Sequence, residues 1–300
     1  MTVSGDASLL ERILTRLRSD LPLAPDKPEE TVETTAYALW HTAAGHPCSA
    51  ALAIAQLPAL DQSQKDRLDK LLERRLAGEP LAYLTGRQAF LGLEFHTSPG
   101  ALIPRRETEL LGTEALRLLG LAHATRPNPK VLDLCTGSGN LAIAIACRFP
   151  AAELWAADLE ATALELAEQN ARHHGVRDRV RLLQGDLFGA LSGTTTDQFD
   201  LITCNPPYLT TRHAQNMPRD IGAAEPVAAF DGGPFGVSIT LRLIREAPRF
   251  LAPAGWLCFE LGAGQGPMIE KRLRDNSSYV DFHSISDSNG VVRSLCARVA

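Results

Sequence analysis

Residues 205 to 208 read Asn205-Pro206-Pro207-Tyr208 and follow the apolar run Leu201-Ile202-Thr203-Cys204. Two consecutive prolines fix the backbone and carry no amide hydrogen, so the carbonyl oxygens of Asn205 and Pro206 stay available as directed acceptors. Asn205 adds its own side-chain oxygen, and Tyr208 offers an aromatic face to a planar group. Such an array suits a flat NH₂ group, with one hydrogen held by the asparagine side chain and the other by a backbone carbonyl. The plain alternative is a turn after a strand.

A second constellation lies earlier in the chain. Asp133-Leu134-Cys135-Thr136-Gly137-Ser138-Gly139 closes an apolar run and opens a helical one, and its glycines allow a tight turn and close approach of backbone to a ligand. Asp158 follows nineteen residues after Gly139, the position from which a carboxylate accepts from ribose hydroxyls. Asp186, in Gly185-Asp186-Leu187-Phe188, is placed to face an adenine. The expected cofactor site is therefore Asp133, Cys135, Thr136, Gly137, Ser138, Gly139, Asp158, Asp186 and Leu187, together with Asn205. Gly137-Ser138-Gly139-Asn140-Leu141-Ala142 also fits a dinucleotide fingerprint, so on these residues alone NAD and S-adenosylmethionine both stay open. Asn205-Pro206-Pro207-Tyr208 tips the balance toward methyl transfer to a planar nitrogen.

These residues need elements to hold them. Strands are expected at 130–135, 153–158, 179–184 and 199–204, with helices at 140–148 and 161–174 between them. That order implies βαβ units and a parallel sheet covered on both faces, an α/β, Rossmann-like domain with the ligand outside the carboxyl ends of its strands. A helix over 238–251, a strand over 255–261 and a helix over 269–274 follow. Two closing strands flank Ser288-Asn289-Gly290, an Asn-Gly hairpin signal that makes the last strand antiparallel.

Upstream the period is helical, in Leu9, Leu10, Ile13, Leu14 and Leu17 and again in Leu68, Leu71, Leu72 and Leu76. Pro22, Pro25, Pro28, Pro47 and Pro58 act as breakers, and Gly78 with Pro80 is a stop signal. The expected division is a small helical domain over 1–80, a hairpin linker over 81–105 and the sheet domain over 106–300. With 300 residues, 45% of them hydrophobic and 22% charged, the chain is of an ordinary globular class. No stretch is long and apolar enough to span a bilayer, and a cytoplasmic protein is expected. The net charge of −5 gives no global attraction to nucleic acid. Six scattered cysteines, without a C-x-x-C pair, read as reduced and mostly buried thiols, and no metal site is expected. The pair His173-His174 and the charge run from Lys65 to Arg75 read as solvated surface.

Several longer motifs are similar to those of the HemK-like protein glutamine methyltransferases. They are Gly78-Glu79-Pro80-Leu81-Ala82-Tyr83-Leu84-Thr85-Gly86, Leu102-Ile103-Pro104-Arg105-Arg106-Glu107-Thr108-Glu109, the glycine loop, Asn205-Pro206-Pro207-Tyr208, and Glu225-Pro226-Val227-Ala228-Ala229-Phe230-Asp231-Gly232-Gly233. The resemblance covers nearly the whole chain. It implies a helical N-terminal domain that helps recognise a protein substrate and a C-terminal domain that binds S-adenosylmethionine. The acceptor would be a glutamine in a peptide chain release factor or, as the alternative, in a large-subunit ribosomal protein. Cys135 stands where many relatives have Gly, Leu187 where some have Trp, and Phe235 where an acidic residue is common.

On this reading Asn205, Pro206 and Tyr208 form the catalytic set, and Asn205, Pro206, Pro207, Tyr208, Arg105 and Glu107 bind the substrate. Arg105 and Glu107 read equally as capping and ion-pair residues. The rivals are an amino-methylating enzyme for DNA or RNA, which would use the same tetrapeptide on a base nitrogen, an NAD-dependent oxidoreductase, and a non-catalytic binding protein on the same scaffold.

Overall fold

The leucine spacing near the start of the chain produces one helix with a buried stripe. Helix α1 (Val3–Asp20) turns Leu9, Ile13, Leu14 and Leu17 inward against α2 (Val32–Ala43) and α3 (Gln62–Leu76). Reciprocal capping boxes start both of the latter, Thr31 with Thr34 and Asp61 with Gln64, each satisfying two amides that the first turn leaves without partners. Helix α3 ends as its stop signal requires. Gly78 takes a φ of 94°, and the amides of Gly78 and Glu79 donate back to the carbonyls of Arg75 and Arg74 at 3.0 and 3.1 Å.

In the computed structural model, residues 3–21, 27–123, 126–193, 198–216 and 225–300 are described; the breakers Pro22 and Pro25 lie outside them. The charge run on α3 is mostly solvated and pairs with α1 through Arg12–Asp69 at 3.1 Å and Arg16–Glu73 at 2.6 Å. Arg75 departs from that reading, because it turns inward to Glu30 at 3.0 Å with only 11% of its side chain exposed.

After a short helix α4 (Leu81–Thr85), strands β1 (Arg87–Phe90) and β2 (Leu93–His96) pair antiparallel around Leu91 and Gly92, both at positive φ as a two-residue hairpin turn demands. The hairpin packs with the helices rather than standing apart from them. Glu94 accepts from the Ser49 amide at 2.7 Å, and the first compact unit runs through Pro99.

The second unit starts at Gly100. Helix α5 (Arg106–His123) leads into β3 (Lys130–Leu134), α6 (Asn140–Arg148), β4 (Glu153–Asp158), α7 (Ala161–His173), β5 (Val180–Gln184) and β6 (Phe199–Cys204). A short α8 (Thr211–Gln215) follows. Then come α9 (Ser238–Glu246), β7 (Leu251–Glu260), α10 (Gly266–Arg274), β8 (Tyr279–Ser286) and β9 (Val292–Val299). The sheet order is β5-β4-β3-β6-β7-β9-β8. Strands β5, β4, β3, β6 and β7 are mutually parallel and β9 runs antiparallel to β7 and β8, so the closing hairpin inserts the last strand as its Asn-Gly turn indicates. The winding reverses between β3 and β6, and such a switch point opens a crevice beyond the carboxyl ends of the strands.

Helix α9 is shorter than its periodicity implies, because Pro248 interrupts it in a tighter turn at Ala247–Arg249 and β7 begins four residues before Gly255. Strand β6 is buried along its whole length, which fixes its register and therefore the point at which Asn205 leaves the sheet. The principal core joins Trp155, Phe199, Phe259 and Leu257, with the Trp155 and Phe199 rings edge to face at 5.2 Å. Three cysteines, Cys204, Cys258 and Cys296, are buried; Cys48, Cys135 and Cys147 are partly so, and all six are free thiols. Replacing Trp155 with Ala should cost about 3–5 kcal/mol by opening a void in this core; urea unfolding of the two proteins checks it, and a midpoint shift of less than a third of that would show that the ring is not a keystone.

Candidate active site

Four strand ends converge on one cavity of the second unit. It encloses about 1030 Å³ of empty space, part of it open to solvent, and its walls include Cys135, Thr136 and Gly137 after β3, Asp158 after β4, Asp186 and Leu187 after β5, and Asn205 and Pro207 after β6. Leu102, Pro104, Arg105 and Thr108 approach from the start of α5, and Pro226, Ala228, Ala229 and Ile239 from the opposite side. The tetrapeptide and the glycine loop thus share one space.

The loop after β3 is held from beneath. Asp133 is buried and accepts from Thr203 at 2.7 Å through Oδ1 and from Thr136 at 2.6 Å through Oδ2, with the Ala142 amide as a third donor. Burial pushes its carboxyl up to about 6, while these three bonds pull it down. Gly139 takes a φ of 80°, and a Cβ on it would come within 2.9 Å of Ile143 Cδ1 and 3.1 Å of the Ala167 Cβ, so only glycine fits. Asn170 donates to the Ser138 carbonyl at 3.0 Å and ties the loop to α7. Asp133, Ser138 and Gly139 therefore stand behind the cavity wall rather than on it, and shape the turn that Cys135, Thr136 and Gly137 present.

Cys135 and Leu187 both sit at positive φ, 54° and 48°, a region that an L side chain enters at a cost of about 1–2 kcal/mol. It is a conformation that glycine adopts without that cost. The Cys135 thiol hydrogen-bonds with that of the buried Cys204, whose ionisation burial suppresses.

Asp158 closes the loop from the side. Its Oδ2 accepts from the Gly137 amide at 2.8 Å and its Oδ1 from the Glu160 amide at 3.0 Å, which leaves each oxygen with further acceptor capacity on a residue that lines the cavity. Asp186 lines the cavity but gives its Oδ2 to Arg242 at 2.5 Å. A diol acceptor beside a slot walled by Leu159, Ala163, Leu187 and Ile239 fits the ribose and the flat adenine of S-adenosylmethionine.

The end of the tetrapeptide and the residue after it are held by main-chain bonds and by the Gln265 side chain. Leu209 and Phe230 bond at 2.8 Å, Gly232 donates to Leu209 at 2.8 Å, and Gln265 donates to the Tyr208 and Gly236 carbonyls at 3.0 and 3.1 Å. A Cβ on Gly232 would meet the Pro207 carbonyl at 2.5 Å. Phe235, on the same loop, is 82% exposed, and its side chain stands outside these contacts. Among the described residues nothing donates to the Pro206 carbonyl.

Pro206, Tyr208 and Glu107 are not on the cavity wall. Tyr208 is largely buried and hydrogen-bonds through its hydroxyl to Glu260, which holds its ionisation well above the usual range together with burial, the larger cause. Arg105 lines the cavity and pairs with the buried Glu225, which also accepts from the Ile103 amide at 2.7 Å. Sequence reasoning does not single out three residues of this site: Thr108, Glu225 and Glu260. Glu260 carries a signal, since a carboxylate directly after Leu257-Cys258-Phe259 is a charge at the end of a buried strand.

His173 and His174 lie with rings 4.9 Å apart, and the described residues hold no cluster of three metal-ligating side chains.

Comparison with known proteins places this geometry. Residues 112–223 match the model of the methyltransferase small domain, and residues 26–86 match that of the PrmC N-terminal domain. The chain is 38% identical over 229 residues to the release factor glutamine methyltransferase of Geobacter sulfurreducens, across 76% of each protein. It is 38% identical over 247 residues to that of Salmonella typhimurium, across 82% of this chain and 85% of the relative. Among solved structures the hMettl16 catalytic domain aligns over 74% of this chain and 81% of its own with a TM-score of 0.53 at 15% identity, a likeness of fold.

Removing the side chain at Asp158 takes away a charged acceptor worth about 1.5–3 kcal/mol. Asp158→Ala should therefore weaken S-adenosylhomocysteine binding about tenfold to a hundredfold by titration calorimetry; an unchanged affinity would remove Asp158 from the site.

Proposed function

Because this chain belongs to the family of release factor glutamine methyltransferases, we propose that it methylates the side-chain amide nitrogen of the glutamine in the Gly-Gly-Gln motif of a peptide chain release factor. The enzyme is a protein-glutamine N-methyltransferase, and S-adenosylmethionine is its methyl donor. The observation that carries the substrate chemistry is the position of Asn205 and Pro207, at the end of β6, on the wall of the cavity that the glycine loop also faces. A ribosomal-protein acceptor stays as the outcome to test against. The N-terminal helical unit contributes to recognising the protein substrate, and an enzyme acting on translation factors works in the cytoplasm. None of the described helices is long and apolar enough to cross a membrane.

An amide nitrogen is a weak nucleophile because its lone pair is delocalised into the carbonyl. When bound, S-adenosylmethionine supplies an electrophilic methyl group, and the protein's part is placement. The Asn205 side-chain oxygen, on the cavity wall, accepts an amide hydrogen, which aims the nitrogen and favours the positive charge that builds on it. Tyr208 stands behind the wall and braces the tetrapeptide through its hydroxyl bond to Glu260. The nitrogen becomes acidic once it carries the methyl group, so its proton passes to water without a dedicated base. In this reading Cys135, Thr136, Gly137, Asp158, Leu187 and Asn205 hold the cofactor, Asp186 guards its adenine end with Arg242, and Arg105 shapes the substrate entrance through Glu225.

Asn205→Ala should lower kcat about a hundredfold to a thousandfold, as the loss of one preorganised charge-stabilising group does, while S-adenosylhomocysteine still binds. Transfer of a labelled methyl group to purified release factor and, separately, to ribosomal proteins, with peptide mass spectrometry to locate it, tests both parts. Label on the Gly-Gly-Gln glutamine supports the reading; label on a ribosomal protein alone moves the acceptor, and wild-type turnover by the variant removes Asn205 from catalysis.

A further inference from the structure

Asn205 makes a hydrogen bond that decides which end of its amide faces the cavity. Its Nδ2 lies 3.2 Å from the Thr108 hydroxyl, and that hydroxyl lies 2.6 Å from Oε2 of the buried Glu260. Heavy-atom positions alone would allow the amide either way round. The proton count does not. Thr108 has one hydroxyl proton, and the Glu260 carboxylate, which can only accept, takes it. The Thr108 oxygen then has lone pairs alone to offer, so Asn205 must turn its NH₂ toward it. The Asn205 carbonyl oxygen is left to face the cavity.

We propose that Glu260, acting through Thr108, is a positioning residue that fixes the flip of the Asn205 amide and so presents an acceptor, not a donor, to the substrate NH₂. This rests on the reading of Asn205 as an acceptor for the substrate amide. Neither Glu260 nor Tyr208 lines the cavity, and Tyr208 supplies a second donor that favours the ionised form of Glu260 against its burial. The other charges facing Glu260 are Glu107 from α5, which opposes its ionisation, and Arg293 from β9, which favours it; Arg105 faces Tyr208.

The arrangement has a pH dependence of definite sign. Burial raises the Glu260 carboxyl to about 7, against the pull of Thr108 and Tyr208. A protonated Glu260 can donate to Thr108, and Thr108 is then free to donate to the Asn205 carbonyl oxygen. The amide turns over and offers NH₂ to NH₂, which is repulsive. Turnover therefore needs the ionised form and falls as pH drops through that value.

The test uses the full chain, labelled S-adenosylmethionine and purified release factor, with kcat and KM measured from about pH 5.5 to 9, a range that brackets the Glu260 ionisation. Thr108→Val and Glu260→Gln should each lower kcat at the alkaline end about tenfold to a hundredfold, less than loss of Asn205 itself, with KM within about threefold and S-adenosylhomocysteine affinity unchanged. Thr108→Ser, which restores the hydroxyl, should recover kcat to within about threefold. The wild-type acidic limb should vanish in Glu260→Gln, whose amide has no proton to gain in this range. Glu260→Gln is nearly isosteric and decides the matter if Thr108→Val does not fold. Wild-type kcat in Thr108→Val, or an unshifted acidic limb in Glu260→Gln, overturns the proposal. Asn205→Ala run alongside separates the two failures: if it is inactive while Thr108→Val is normal, only the positioning role falls, and if it is active, the acceptor reading falls with it.

Discussion

A carboxylate taken into a sheet interior costs several kcal/mol unless donors surround it. This chain does so twice, at the carboxyl ends of the strands on either side of β6, with Asp133 on β3 and Glu260 on β7, both 1% exposed. Each is held by two hydroxyls. Thr136 and Thr203 serve Asp133, and Thr108 and Tyr208 serve Glu260. Those four hydroxyls come from the glycine loop, from β6, from the start of α5 and from the tetrapeptide. The demand for donors at two buried acids thus ties the glycine loop, β6, the start of α5 and the tetrapeptide to one another.

The sheet supplies the other half of the precision. Strand β3 lies between β4 and β6 with unbroken parallel pairing, so the ends carrying Cys135, Asp158 and Asn205 emerge side by side. Because β6 is buried throughout, a shift of one residue would drive its apolar side chains to the wrong faces. The position of Asn205 is therefore as fixed as the core beneath it. Beyond that point the backbone is held by other backbone, in Leu209 to Phe230 and Gly232 to Leu209.

Local signals make most of the frame legible. The strands at 153–158 and 199–204 and the helix at 140–148 fall where periodicity sets them. The Asn-Gly turn foretells the antiparallel closing strand because turn chemistry is written in adjacent residues. Helix α9 and β7 depart from expectation at their shared border, where Pro248 and the positive φ of Ala254 break two patterns at once. In the site, many of the residues that touch the cavity can be named from motif context. What cannot be read is depth. Asp133, Ser138 and Gly139 belong to the same motif as Cys135 and Gly137 but stand one layer back, and nothing in their order distinguishes wall from foundation. Glu260 and Thr108 are 152 residues apart in the chain, and only folding brings their bond into being.

Phe235 occupies an unusual place in this design. It rides on a loop whose shape is secured by main-chain bonds and glycine contacts, and its ring projects into solvent without supporting any of them. A change of side chain at 235 consequently leaves those bonds in place. The side chain can be exchanged while the glycines beside it keep their close contacts with the Pro207 and Tyr208 carbonyls, so the surface of this loop and its inner face answer to separate demands.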